Sequence, residues 1–359
     1  MNKKLLFLLI IINLYSCNKI IEPESPKKIF DKYKSSVVLI AHQYYYEIES
    51  GADIYFFSPS SVDKIFMSRD EALRNLTLST GTGFLISKEG EIITNKHVVN
   101  PKCEEYEIEL KNYMQNNIAF ISNRVEKLND SIISLKNYYN ENFDYLDYSE
   151  RENLKNRFNN LVETKKYSLN SIQFLNQLDF SKCKVKLITE NLCIAFNDTH
   201  VTKYSDMQEC VTIKLSNDDN IDLALIQTKD KKFNSQPKYL FNFNDNNPNF
   251  INNPEKIEAR NLKNPVKIND DVYMIGFNRG FSLANTKQGI KSQFTSGKIS
   301  QENDGERILY TIPTLEGSSG SPIVDKWGNL VGVNFAKITN SQSFSFGVPV
   351  NEVKKFYEE

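Results

Sequence analysis

The sequence predicts an all-β protein interrupted once by a pair of helices. Short apolar runs separated by glycine-containing turns recur in both halves of the chain, from Ser36-Val37-Val38-Leu39-Ile40-Ala41 to Phe346-Gly347-Val348-Pro349-Val350. Between about Tyr113 and Phe180 the apolar spacing changes to three and four, the period of a helix face. Hydrophobic residues make up 40% of 359 positions and the formal net charge is −1, so the chain is a globular protein and not a disordered tail or a nucleic-acid binder.

The N-terminus reads as an export signal. Met1-Asn2-Lys3-Lys4 is a basic start, and Leu5 to Ile12 is an apolar run too short to span a bilayer as a mature helix. Leu14-Tyr15-Ser16-Cys17 resembles the bacterial lipobox, with Tyr15 bulkier than the usual occupant of its position. The resemblance implies cleavage after residue 17's predecessor, lipidation of Cys17, and a membrane-anchored lipoprotein of the periplasm or cell envelope. The other reading is an ordinary signal peptide with an incidental cysteine; both export the chain. Residues 18–34 read as a polar tether. Four cysteines remain, Cys103, Cys183, Cys193 and Cys210, which allow three pairings. Cys103–Cys183 with Cys193–Cys210 is the favoured pairing, because the first would close the ends of the helical segment; four reduced thiols are the alternative.

No regular element is predicted between Glu49 and Ser79. Next, Gly81-Thr82-Gly83-Phe84-Leu85-Ile86 and Glu91-Ile92-Ile93-Thr94-Asn95-Lys96-His97-Val98-Val99 flank a turn at Lys88-Glu89-Gly90, the pattern of a β-hairpin with His97 at its end. The helical segment carries Ile118, Ile121, Val125, Leu128, Ile132 and Leu135, then Leu154, Phe158, Leu161, Leu169, Ile172 and Leu175. Two antiparallel helices follow, with a turn near Asn140 to Tyr148 and a capping box at Ser149 and Glu152. Strand patterns resume at Val185, at Leu192-Cys193-Ile194-Ala195-Phe196, at Cys210 and at Asp222-Leu223-Ala224-Leu225-Ile226. After an Asn- and Pro-rich loop from Asn242 to Pro254 the chain is β-rich, and a short helix from Asn351 to Tyr357 closes it.

Within that last part lies Glu316-Gly317-Ser318-Ser319-Gly320-Ser321-Pro322, a hydroxyl between glycines in a tight turn. Glycine there lets a substrate carbonyl come close to the backbone. A strand-end histidine, an aspartate opening an apolar strand and a serine in such a turn stand in the order His, Asp, Ser. The segments around His97, Asp222 and Ser319 resemble the three motifs of the HtrA/Deg branch of trypsin-like serine proteases. Val272-Tyr273-Met274-Ile275-Gly276, Thr295-Ser296-Gly297-Lys298-Ile299 and Phe346-Gly347-Val348-Pro349 are similar to further family segments, and no PDZ-like pattern follows Tyr357.

The resemblance implies a chymotrypsin-like double six-stranded β-barrel with an inserted α-helical hairpin and a short C-terminal helix. Residues 35–112 and 181–230 would form the N-terminal barrel, 113–180 the hairpin, and 231–359 the C-terminal barrel. It also implies a serine endopeptidase acting on a protein or peptide substrate, with no cofactor and no metal. His97 would be the base, Asp222 its orienting partner and Ser319 the nucleophile, with the amides of Gly317 and Ser319 as the oxyanion hole. Asp218 and Asp219 read as solvated loop residues, and His42 and His200 as structural.

Departures from the family shape the expected specificity. Ser318 stands where zymogens of the wider family carry an aspartate, so that activation route is not expected. Pro313, six before Ser319, supplies no carboxylate for a Lys or Arg side chain. Thr314 matches a threonine of bacterial glutamyl endopeptidases, whose following-strand histidine is here Asn334. Pro313, Thr314 and Asn334 are the candidate specificity residues. The competing function is a binding or scaffolding lipoprotein on a protease fold, working through the helical hairpin.

Overall fold

The computed structural model describes residues 23–61, 65–101, 106–177, 183–218, 220–235, 237, 239–241, 266–301, 304–337 and 344–359, the side chains of 106–115, 336 and 337 excepted. Cys17, Cys103, Asp219 and the loop from Asn242 to Pro254 lie outside the described residues.

The strands of the first half are β1 (Val37–Ser50), β2 (Asp53–Phe57), β3 (Ile65–Phe66), β4 (Thr77–Leu85), β5 (Glu91–Thr94), β6 (Lys184–Phe196), β7 (Gln208–Leu215) and β8 (Ala224–Thr228). Those of the second half are β9 (Asp271–Gly276), β10 (Asn285–Thr286), β11 (Gly289–Ile290), β12 (Gln293–Gln301), β13 (Ile308–Tyr310), β14 (Pro322–Asp325), β15 (Leu330–Lys337) and β16 (Ser345–Pro349). The helices are α1 (Pro26–Tyr33), α2 (Arg69–Leu73), α3 (Lys96–Val99), α4 (Tyr106–Asn142), α5 (Tyr148–Gln177), α6 (Phe281–Ala284) and α7 (Val350–Glu358).

Strands β1, β4, β5, β8, β7 and β6 pair in that order, and β6 returns to β1, closing a six-stranded antiparallel barrel. A second closed antiparallel barrel runs β12, β13, β16, β15, β14 and β9. The architecture is the expected chymotrypsin-like double barrel with a helical insertion. Closure leaves neither barrel an open seam, and the first sheet continues past its barrel through β2 to β3.

The apolar run that opens β1 makes a strand covered on both faces. Along β1, Val37, Leu39 and Ala41 enter a cluster that also holds Ile275, Phe277, Val324, Val333 and Val348 of the second barrel. The alternate residues Val38 and Ile40 enter a cluster with Leu85, Ile92, Ile194 and Ile226 of the first barrel. One strand thus joins the barrels with one face and packs its own barrel with the other.

The far half of β1 leaves the barrel. Tyr46, Ile48 and Phe57 pack with Ile121 of α4 and Leu175 of α5, and this cluster seats the hairpin. The stretch after Glu49, for which the sequence offered no element, supplies β2 and β3 to this seat. The hairpin turn falls at 143–147. Its capping box is formed by Asp147 and Glu150, whose amides and carboxylates bond reciprocally at 2.8 and 2.9 Å, not by Ser149 and Glu152. Asp147 ends the turn, so its carboxylate lies where the first orphan amides of α5 emerge.

Two other expectations change. The stretch read as a polar tether contains α1, capped by Ser25 and opened by Pro26, with Ile29 and Tyr33 buried between the barrels. Two anchoring residues on eight are too few to show as periodicity. Cys183, Cys193 and Cys210 are buried free thiols, and the favoured Cys193–Cys210 bridge is absent. Cys193 lies directly across from Glu209, so Cys210, one residue on, turns to the opposite face and packs in a different cluster.

Candidate active site

His97 does not end a strand. The chain leaves β5 at Thr94, Asn95 takes an extended conformation, and α3 carries His97 on its first turn. Val98 and Val99 are both buried although adjacent, which a half-exposed strand would not allow and a short helix wedged into the barrel does. Gly81 makes room for it: a Cβ there would lie 2.6 Å from the Val98 side chain.

Asp222 precedes β8, which starts at Ala224, and its carboxylate reaches across to α3. Oδ2 lies 2.5 Å from His97 Nδ1, and Oδ1 accepts the His97 backbone N–H at 3.0 Å. The two oxygens therefore hold the ring and its own backbone together, and Nε2 faces away from the carboxylate. Asn95, fully buried, donates from Nδ2 to the Asp222 carbonyl at 2.7 Å and fixes the loop from the other side.

Ser319 is partly exposed at the mouth of a cavity of about 260 Å³ that Thr314, Leu315, Asn334 and Phe335 also line. Its turn is fastened to the first barrel through Thr82. The Thr82 amide donates to the Ser319 carbonyl at 2.8 Å, and its Oγ1 donates to the Gly317 carbonyl at 2.8 Å while accepting the Phe277 amide at 3.0 Å. Thr94 Oγ1 donates to the Thr82 carbonyl at 2.8 Å. Gly320 closes the contact: its φ is +85°, and a Cβ would stand 2.1 Å from the Thr82 carbonyl and 3.2 Å from the Asn95 amide. The serine turn thus rests on the residues that lead into His97.

Gly317 has φ +89°, and a Cβ on it would meet Phe277 and Gly280 backbone at 2.5 Å. The Arg279 amide donates to the Glu316 carbonyl at 2.5 Å. In a trans peptide the N–H points opposite to the preceding C=O, so this bond turns the Gly317 N–H away from the Arg279 loop. Among the described residues neither the Gly317 nor the Ser319 amide has an internal acceptor.

The preceding residue, Ser318, is buried and satisfied. Its Oγ donates to the Leu315 carbonyl at 2.6 Å, and Asn334 Nδ2 donates to its carbonyl at 2.9 Å. Tyr310 Oη lies 2.7 Å from both Asn334 Oδ1 and the Phe346 carbonyl and shares its one proton between these two acceptors, so both ends of the Asn334 amide are engaged away from the cavity. Ser345 Oγ donates to the Ile312 carbonyl at 3.0 Å, which leaves Thr314 to donate to Ser345 at 2.9 Å and to offer the cavity only its lone pairs. Pro313 is exposed and does not line the cavity.

His97 and Asp222 are therefore in direct contact, and Ser319 lies in a turn bonded to the strand that packs on α3. Thr82 and Asn95 were not singled out from sequence as functional. Their positions inside the quoted histidine segment, between Gly81 and Gly83 and two before His97, were the available signal. Asp218 accepts the Asn220 amide at 2.9 Å in an exposed loop. Among the described residues no group of three or more His, Cys, Asp and Glu converges as metal ligands, and no helix is long and apolar enough to cross a membrane.

The fold and site define a two-barrel protein with a histidine–aspartate pair and a serine turn that packs on the segment leading into the histidine. Residues 187–333 match the model of the trypsin-like peptidase domain. That stretch starts after the helical hairpin and contains Asp222 and Ser319 but not His97. Among solved structures, a serine endoprotease from Yersinia pestis aligns at 15% identity and TM-score 0.44, over 94% of this chain and 67% of its own. A protease from M. tuberculosis in its active form aligns at 14% identity and TM-score 0.43, over 94% and 87%. No curated protein matches the sequence. The domain match together with the double barrel supports a peptidase.

Proposed function

We propose that the chain is a serine endopeptidase working through His97, Asp222 and Ser319. The observation that carries this is the double grip of Asp222 on His97, Oδ1 on the backbone amide and Oδ2 on Nδ1. A half-buried carboxylate held that way serves to set a ring's tautomer: Nδ1 keeps its proton and Nε2 is free to take one.

The serine hydroxyl is a poor nucleophile until a base removes its proton. Ser319 Oγ attacks the scissile carbonyl carbon as its proton passes to His97 Nε2, and the imidazolium is stabilised by Asp222. The C–N bond then breaks, the leaving amine takes that proton, and the acyl group stays on Oγ. Water repeats the sequence: it loses a proton to Nε2 as its oxygen bonds the acyl carbon, the Oγ–acyl bond then breaks, and Ser319 Oγ takes the proton back from Nε2. The amides of Gly317 and Ser319, which have no internal acceptor among the described residues, suit the oxyanion in both halves, a donor there being worth about 3 to 4 kcal/mol.

The apolar run Leu5 to Ile12 and Cys17 support an exported, lipid-anchored chain of the bacterial cell envelope. Cys17→Ala is expected to move the protein from the membrane to the soluble fraction; unchanged fractionation would reject the anchor.

Turnover of a peptide library tests the activity. Wild type is expected to cleave and Ser319→Ala to be inert, with no preference for Lys or Arg before the cut. Equal cleavage by both proteins would remove Ser319 from the mechanism. A wild type that cleaves nothing would favour the binding lipoprotein instead.

A further inference from the structure

His42 has no part in the chemistry above, yet its ring is wholly buried and fully bonded. Nδ1 lies 3.1 Å from the Val98 carbonyl oxygen, and Nε2 lies 2.9 Å from Thr189 Oγ1. A carbonyl only accepts, so Nδ1 carries the proton and Nε2 accepts from the threonine. The ring also stacks on Tyr44, with centroids 4.9 Å apart.

The contacted carbonyl belongs to the residue after His97. A helix of four residues is far too short to hold itself, and its last carbonyls have no intrahelical donors. In α3 the Lys96 carbonyl takes the Asn100 amide at 2.7 Å, and the Val98 carbonyl takes His42. The Val98 side chain is held on the other side by the space at Gly81. Thr189, in turn, stands where the β1–β6 register shifts by a residue, opposite Tyr44. One ring therefore ties α3 to both strands at the place where they leave the barrel for the hairpin seat.

We propose that His42 is a positioning residue for His97: its neutral ring sets the height and rotation of α3, and so the aim of the His97 ring at Ser319. The inference rests on reading His97 as the general base. Burial pushes the His42 ring down to about 4, against the opposing pull of the Val98 carbonyl, so the ring stays neutral wherever a peptidase of this kind would work. Asparagine can place an N–H near the position of Nδ1 and keep the Val98 bond. Glutamine reaches instead toward Thr189, and phenylalanine keeps the shape and neither bond.

The test is steady-state turnover of one peptide by wild type, His42→Phe, His42→Asn and His42→Gln, each with its melting temperature. The expected result is a fall in kcat of about tenfold or more for Phe and Gln with KM unchanged, and recovery by Asn to within about threefold of wild type. A purely structural His42 would lower melting temperature and leave kcat per folded molecule alone. Unchanged kcat in folded His42→Phe, or equal kcat for Asn and Gln, overturns the inference while the peptidase reading stands. If His42→Phe does not fold, the Asn–Gln comparison decides. A wild type without turnover overturns the peptidase reading and this inference together.

Discussion

The two barrels contribute to the site by different means. The first supplies side chains: His97, Asp222 and Asn95, held by charge and by directed hydrogen bonds. The second supplies one side chain, the proposed nucleophile Ser319, on a backbone turn with Gly317 and Gly320 at positive φ whose buried polar neighbours are neutral. Side chains are set by local loops, whereas a backbone turn is set by what it leans on. Here it leans on the other barrel, through Thr82.

The hardest break of this comparison removes one group from each side. Ser319→Ala and His97→Ala are each expected to lower kcat by about 10⁴-fold or more, and the double variant to lose little beyond either. Losses that multiply in the double variant would mean the two do not act as a unit.

Next comes the backbone alone. Gly320→Ala adds one carbon 2.1 Å from the Thr82 carbonyl at a φ of +85°. Turnover is expected to fall by about a hundredfold or more, since the whole turn must move off β4. Retained activity would show that the turn does not depend on that contact.

The first barrel has its own test, in pH. Folded His42 is pushed down to about 4 from 6.5, so between those values the unfolded chain binds the extra proton. Stability is therefore lost as pH falls from about 6.5 to about 4, in total on the order of 3 kcal/mol. Urea midpoints across that range should show the slope for wild type and lose it in His42→Asn. An unchanged slope in the variant would assign it elsewhere.

Thr82→Val tests the link between barrels. It keeps the Thr82 amide's bond to the Ser319 carbonyl and removes the hydroxyl that bridges Gly317 and Phe277, with an expected loss in kcat of about tenfold. At the small end, the exposed Lys229–Glu209 pair belongs to neither half of the site. Lys229→Ala should change unfolding free energy by less than about 1 kcal/mol and kcat not at all.

Much of this was legible in the sequence. The strand patterns around Val37–Ala41 and Val272–Gly276 lie in a double barrel, and the three-and-four spacing from Ile118 to Leu175 lies in its hairpin. His97 and Asp222 meet as their segments suggested. What was hidden depends on distant partners. Val98 and Val99 read from sequence as the end of a strand, and the helix they form depends on the space that Gly81 leaves. The helix Pro26–Tyr33 exists because both barrels cover Ile29. Ser149 and Glu152 have the spacing of a capping box, but Asp147 and Glu150 have it as well, and the turn chooses the latter. Asn334 and Thr314 were visible as pocket residues, while the direction of their hydrogen bonds, set by Tyr310, Ser318 and Ser345, was not. Thr82 looked like a spacer between two glycines, and its role needs the other barrel to be seen.

Ser319, and not a neighbouring hydroxyl, is the proposed nucleophile. Treating the full chain with a fluorophosphonate and mapping the adduct by mass spectrometry tests it most directly. One adduct is expected, on Ser319, and it should be lost in Ser319→Ala and in His97→Ala. An adduct on Ser318 or Ser321, or labelling that persists in Ser319→Ala, would contradict it.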